Sequence, residues 1–130
     1  MTPTEFMQEY IRVGRVRDIE ALLALIDDDA VFLFSNQSSH FGKDAIRNAI
    51  CANFDAIQNE DYKISDLIWL PTSDKVAVCV YEFAWVGEID GAPASGGGRG
   101  TTAIRRLADA GGIPWRVVHE HLSRGRFRQG

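Results

Sequence analysis

The sequence predicts a single α+β domain in which three N-terminal helices pack on one face of an antiparallel sheet. Two observations carry that prediction. Apolar residues recur at helical spacing through the first part of the chain, whereas from Tyr62 onward they alternate with a period of two. The alternating runs follow one another directly, so strands are grouped rather than interleaved with helices. A chain of 130 residues with no internal repeat and no linker is one domain, 1–130. That length can bury roughly two thirds of the unfolded surface.

The first helix opens on Thr2, with Pro3 at its first position and Glu5 completing a T-x-x-E capping box. Phe6, Tyr10 and Val13 then share one face, until Gly14 interrupts. "DIEALLALI" is the second helix, capped by Asp18, with Ile19, Leu22, Leu23 and Ile26 at i, i+3, i+4 and i+7. The acidic run 27–29 stops it, and "AVFLF" reads as a short buried strand. "GKDAIRNAICANFDAI" is the third helix, with Ile46, Ala49, Ile50, Phe54 and Ile57 on one stripe. Four strands follow at 62–70, 75–89, 99–108 and 114–123. Their connections are "PTSD", "DGAPASGGG" and "DAGG". "SGGGRG" lacks the G-K-[ST] ending of a phosphate loop and leads into a strand, so it is expected to be a hairpin loop.

Composition excludes several classes of function. The net charge of −4 opposes nucleic-acid binding, and only the tail 124–130 is locally basic. No apolar run is long enough to cross a membrane, and "MTPTEFMQEY" lacks the pattern of a signal peptide. Cys51 and Cys79 form neither a disulfide framework nor a metal-ligand spacing, which fits a reducing cytoplasm and no cofactor.

Strand alternation divides each strand between two faces. One set in the 75–89 strand is Ala77, Cys79, Tyr81, Phe83 and Trp85; the other is Val76, Val78, Val80, Glu82, Ala84 and Val86. Neither is plainly polar, so both faces are expected to be covered, one by helices and the other by a second subunit. In "WRVVHEHLS", His119 and His121 fall on the face opposite Glu120 and Leu122. An H-x-H pair can bind metal, but zinc requires further ligands and the chain holds one other histidine, His40. A hydrogen-bonded pair at an interface is the simpler expectation, with no metal.

"HFGKDAI", "GRGTTAIRR" and "GGIPWRVVHEHLS" resemble the nuclear transport factor 2-like superfamily. More narrowly they are similar to SnoaL-like domains and to the association domain of calcium/calmodulin-dependent protein kinase II. The resemblance covers almost the whole chain and implies a cone-shaped curved sheet, as in ketosteroid isomerase, enclosing a cavity. It implies that Glu120 and Leu122 face that cavity with Thr102, Ile104, Glu82 and Ala84, that Tyr10 and Trp69 are wall residues, and that His40 sits at the mouth. It also implies a homodimer, with Tyr81, Phe83, Trp85, Arg99, Thr101, His119 and His121 on the subunit-facing side.

The expected function is to bind a small apolar or mixed-polarity molecule. The alternatives are an isomerase, cyclase or hydratase using Glu120 with Glu82 or His40, and a non-catalytic oligomerisation module. Two carboxylates inside an apolar cavity would raise each other's pKa, which suits a general acid. The catalytic base that ketosteroid isomerase carries near its first short strand has no counterpart in "AVFLFSN". The inward arginines of the association domains are replaced by Ala84, Thr102 and Leu122.

Overall fold

The computed structural model describes residues 1–108 and 111–127. The end of the predicted basic tail, 128–130, and part of the turn expected at 109–112 lie outside the described residues. The order of elements is α1 (Pro3–Arg15), α2 (Ile19–Ala24), β1 (Ile26–Leu33), β2 (Ser39–Phe41), α3 (Lys43–Ala56), β3 (Gln58–Trp69), β4 (Val76–Ile89), β5 (Ala92–Arg106) and β6 (Trp115–Ser123).

Local chemistry sets the helix starts. Thr2 accepts from the Glu5 N–H while the Glu5 carboxylate accepts from the Thr2 N–H, a closed capping box. Asp18 caps α2 through the Ala21 N–H. Gly42, at φ +89°, introduces α3 with no side-chain cap. No helix among the described residues is long and apolar enough to cross a membrane.

The six strands form one curved, unclosed sheet in the order β2–β1–β6–β5–β4–β3. All neighbours are antiparallel except β1 and β6, which run parallel, so the expectation of a wholly antiparallel sheet is corrected. The acidic run 27–29 does not end a helix but lies in β1, in an irregular stretch between its two pairings with β6. There the Asp27 side chain accepts from the Asp29 N–H and pairs with Arg105.

The glycine-rich stretch is also strand, not loop. Asp90 and Gly91 alone, at φ +52° and +78°, turn β4 into β5, and Ile89 pairs directly with Ala92. Positive φ at both central residues matches the right-handed twist of the flanking strands, and Asp-Gly tolerates it.

The helices bury Phe6, Met7, Tyr10 and Val13 of α1, Leu22 and Leu23 of α2, and Ile46 and Ile50 of α3. Against them the inner face of the sheet presents Phe32, Ala77, Cys79, Tyr81, Phe83, Ile104, Trp115 and Val117.

Candidate functional site

The inner face is set by pairing register. Tyr81, Phe83 and Trp85 of β4 stand opposite Gly100, Gly98 and Gly96 of β5, all on the inner side. A Cβ at position 96 would come within 2.5 Å of the Trp85 indole nitrogen, and one at position 100 would overlap the Tyr81 ring. The three aromatic side chains therefore lie across a strand that has no side chains there, an arrangement in which aromatic residues cover glycines on a neighbouring strand. At Gly98 the Ser123 carbonyl, at the end of β6, occupies the place of a side chain.

A β-bulge sets the second register. Ile104 pairs with Val117 and Ala103 with His119, so Val118 is an extra residue and the alternation of β6 reverses there. Trp115 and Val117 point inward before the bulge; Glu120 and Leu122 point inward after it.

Between helices and sheet lies an open-mouthed cavity of about 320 Å³. Its walls are largely aromatic and aliphatic, with Tyr10, Phe32, Phe34, Tyr62, Tyr81, Phe83, Trp85 and Leu122 among them. Tyr62 stacks on Phe83 with ring centres 6.1 Å apart. Glu120 is the acid within these walls; Glu60, which also lines the cavity, is engaged by Arg17 at 3.1 Å.

The Glu120 carboxylate accepts at Oε1 from the Tyr10 hydroxyl at 3.0 Å and the Thr102 hydroxyl at 3.3 Å. Tyr81 lies 2.8 Å from Thr102 Oγ1. Since Thr102 has one proton to give and directs it to Glu120, the Tyr81 hydroxyl donates to Thr102. Oε1 is thus doubly served. Oε2 makes no hydrogen bond among the described residues, yet no buried side-chain oxygen lacks a partner. It follows that Oε2 is accessible, and the accessible space it faces is the cavity it lines.

Burial pushes the Glu120 carboxyl up from 4.5 to about 7, against the opposing hydrogen bonds of Tyr10 and Thr102. Burial first, then the neighbouring Glu120 charge, pushes the Tyr10 and Tyr81 hydroxyls far above their ordinary value. Both phenols are therefore fixed hydrogen-bond donors. The same two causes hold the Cys79 thiol at about 12, unreactive beneath the cavity.

Several expected placements change. Glu82 is on the outer face, where it accepts from the Phe127 N–H at 2.8 Å and from Arg126 at 3.0 Å. These bonds hold its carboxyl below the ordinary value, opposite in direction to a cavity acid. Ala84 is on the outer face too, between Gly97 and Lys63. Tyr81, Phe83 and Trp85 are cavity residues rather than interface residues. The common cause is the two-residue turn, which pairs odd positions of β4 with even positions of β5, so that Thr102 lies beside Cys79 and shares its face with the odd residues of β4, not with Glu82 and Ala84.

Thr102 is fully buried beneath Glu120, and Ile104 is fully buried in the core below the cavity. Trp69 donates to the Thr4 hydroxyl and is not a cavity wall. His40 contacts the Ser38 hydroxyl and packs against Phe34, outside the lining of the cavity. His119 bonds the Val31 carbonyl through Nδ1, and the rings of His119 and His121 are 6.2 Å apart on the outer face, which Arg99 and Thr101 share. Among the described residues no group of three or more His, Cys, Asp or Glu could hold a metal ion.

Phe34, Tyr62 and Ile64 were not singled out from the sequence. For Tyr62 and Ile64 the signal was present, because both lie at alternate positions of a strand paired with Trp85 and Phe83.

No curated protein sequence matches the chain. Solved structures do. A nuclear transport factor 2-like superfamily protein from Salmonella enterica superimposes with a TM-score of 0.80 at 17% identity, over 98% of this chain and 90% of that one. A protein described as a calcium/calmodulin-dependent protein kinase type II association domain, from Thiobacillus denitrificans, gives 0.79 at 16%, over 96% of each chain. A ketosteroid isomerase-like protein from Erwinia carotovora gives 0.74 at 19%, over 92% of this chain and 91% of that one. At such identities these likenesses establish the fold alone. The sequence pattern of one family, however, runs through residues 4–126, from the first turn of α1 to beyond the end of β6, and by that match the chain belongs to the SnoaL-like domain family.

Proposed function

We propose that the cavity binds a small, largely apolar molecule and that Glu120 is its principal polar contact. One observation carries this reading: Oε2 of the half-buried Glu120 carboxyl has no hydrogen-bond partner among the described residues and is open to an aromatic cavity. An unpaired buried carboxylate is costly, and a ligand oxygen that accepts a hydrogen bond from the protonated acid would remove that cost.

The test uses prodan, a neutral naphthyl ketone whose emission reports hydrogen bonding at its carbonyl. Binding should weaken roughly tenfold, about 1.4 kcal/mol, as pH rises through about 7 and Glu120 loses its proton. Glu120→Leu should abolish that dependence. Absence of any binding, or binding indifferent to pH in the parent protein, would refute the proposal.

The acid–base alternative is favoured by the same carboxyl, because a value of about 7 lies where a general acid or base works best. Such an isomerase, cyclase or hydratase would rest on Glu120 with Tyr10 and Thr102, since Glu82 and His40 do not line the cavity.

We place this function in a homodimer assembled through the outer sheet face. Val76 and Val86 on that face are 47% and 57% exposed, and Val78 and Val80 lie between them. Apolar positions aligned along one strand, on a face where Arg126 and Phe127 reach Glu82, are what a second copy would bury. The unpaired thiols of Cys51 and Cys79 support a cytoplasmic setting.

A further inference from the structure

Beside the cavity mouth lies a second concavity, between the turn joining β1 to β2 and the end of β6. It encloses about 490 Å³ and is continuous with the cavity through Phe34, Ser35, Asn36 and Leu122, which line both. Its chemistry is the reverse of the cavity's. Among the described residues no aspartate or glutamate lines it, in a chain whose net charge is −4. It presents Arg124, His121, Gln37 and hydroxyl groups.

The state of those donors is informative. The Asn36 side-chain oxygen is already used, accepting from the Ser38 N–H and hydroxyl, so its NH₂ is the group left to bind. Arg124 makes no ion pair among the described residues. Along the cavity itself, by contrast, the lining residue Arg15 is held by Asp61, and Arg17 is held by the lining residue Glu60. Of the two arginines that line cavity and cleft among the described residues, the one without an ion pair is therefore Arg124, just beyond the end of β6. At the inner end of the cavity stands the Glu120 carboxyl, which disfavours an anion there.

We infer that cavity and cleft form one site for a soluble amphipathic anion, a flat apolar ring system with an oxyanion group at one end. The ring system enters among the aromatic walls, and the oxyanion stays in the cleft against Arg124 and the Asn36 amide. Glu120 inside and Arg124 outside impose that orientation. This inference rests on the proposed binding role of the cavity and adds to it the charge and direction of the ligand.

Two fluorescent probes of nearly the same shape separate the two ideas. N-phenylnaphthylamine is neutral; anilinonaphthalene sulfonate carries an added sulfonate. Both should bind and compete with one another. Arg124→Gln should weaken the sulfonate probe roughly three- to tenfold, the range of a partly screened charge-assisted contact, and leave the neutral probe unchanged. His121→Gln, also at the surface of the cleft, should act in the same direction. Raised salt should weaken the sulfonate probe in the parent protein but not in Arg124→Gln. If the neutral probe binds, yet the sulfonate probe is indifferent to Arg124 or fails to displace it, the inference is overturned while the cavity reading stands. If the neutral probe does not bind, the cavity reading falls and takes this one with it.

Discussion

Replacing Glu120 by Gln should stabilise the protein above neutral pH and leave it almost unchanged in mild acid. The unfolded chain loses this proton near 4.5, whereas the folded protein keeps it until about 7. Between those values the native state holds the additional proton, so stability falls as pH rises through the window and is level beyond it. The interval, at about 1.36 kcal/mol per pH unit, amounts to roughly 3 kcal/mol. A glutamine keeps the acceptor for the Tyr10 and Thr102 hydroxyls and turns its NH₂ toward the cavity, but it has no charge to desolvate. Urea unfolding of both proteins, followed by tryptophan fluorescence from pH 4.5 to 8.5, gives the difference directly. The advantage of Glu120→Gln should be near zero at the acid end and reach roughly 3 kcal/mol by pH 8. A difference that does not vary with pH, or a variant less stable than the parent at pH 8, would show that Glu120 is not a buried, desolvated acid.

Tyr10→Phe removes a hydrogen bond that favours the charged carboxyl, so the Glu120 midpoint should move above about 7, as read by carbon NMR of the carboxyl. A midpoint that stays or falls contradicts the network. Gly98→Ala sets a methyl group against the Ser123 carbonyl and should cost about 1–3 kcal/mol in urea unfolding, as overpacking does. Gly112→Ala, which meets nothing within 4 Å, should stay within about 0.5 kcal/mol of the parent. Val80→Glu places a charge in the middle of the outer face, and sedimentation should then find a 14.4 kDa monomer in place of the dimer proposed for the parent; an unchanged mass would remove that face from the interface.

The helices were legible because their signals are local. The Thr2–Glu5 box, the Asp18 cap and the apolar stripes each lie within a few residues of what they specify. Strand β2 was not legible, since its three residues are too few to show a period and are held by pairing with Val31, Phe32 and Leu33. Strand β5 was misread for a different reason. Glycine has weak strand propensity by itself, and what makes 96–100 a strand is the aromatic side chains of β4 lying over it, a non-local cause.

Which face is inside is a question of parity, and parity depends on single residues. The pair Asp90–Gly91 is a strong two-residue hairpin signal, and it fixes odd positions of β4 against even positions of β5. The resemblance, carried over position by position, implied the opposite parity for β4, and the register of this turn is what exchanges Glu82 and Tyr81 between the faces. The bulge at Val118 has the opposite effect. Strict alternation along β6 would set Glu120 on the face opposite Trp115 and Val117, both almost fully buried in the core. One inserted residue returns Glu120 to the inner side, beside Thr102 and within reach of Tyr10. Bulges leave little trace in a sequence because their cost and benefit lie in the partner strand. Here the benefit is chemical: a strand that first supplies a hydrophobic core then delivers, from its next residues, an acid to the cavity on the same face.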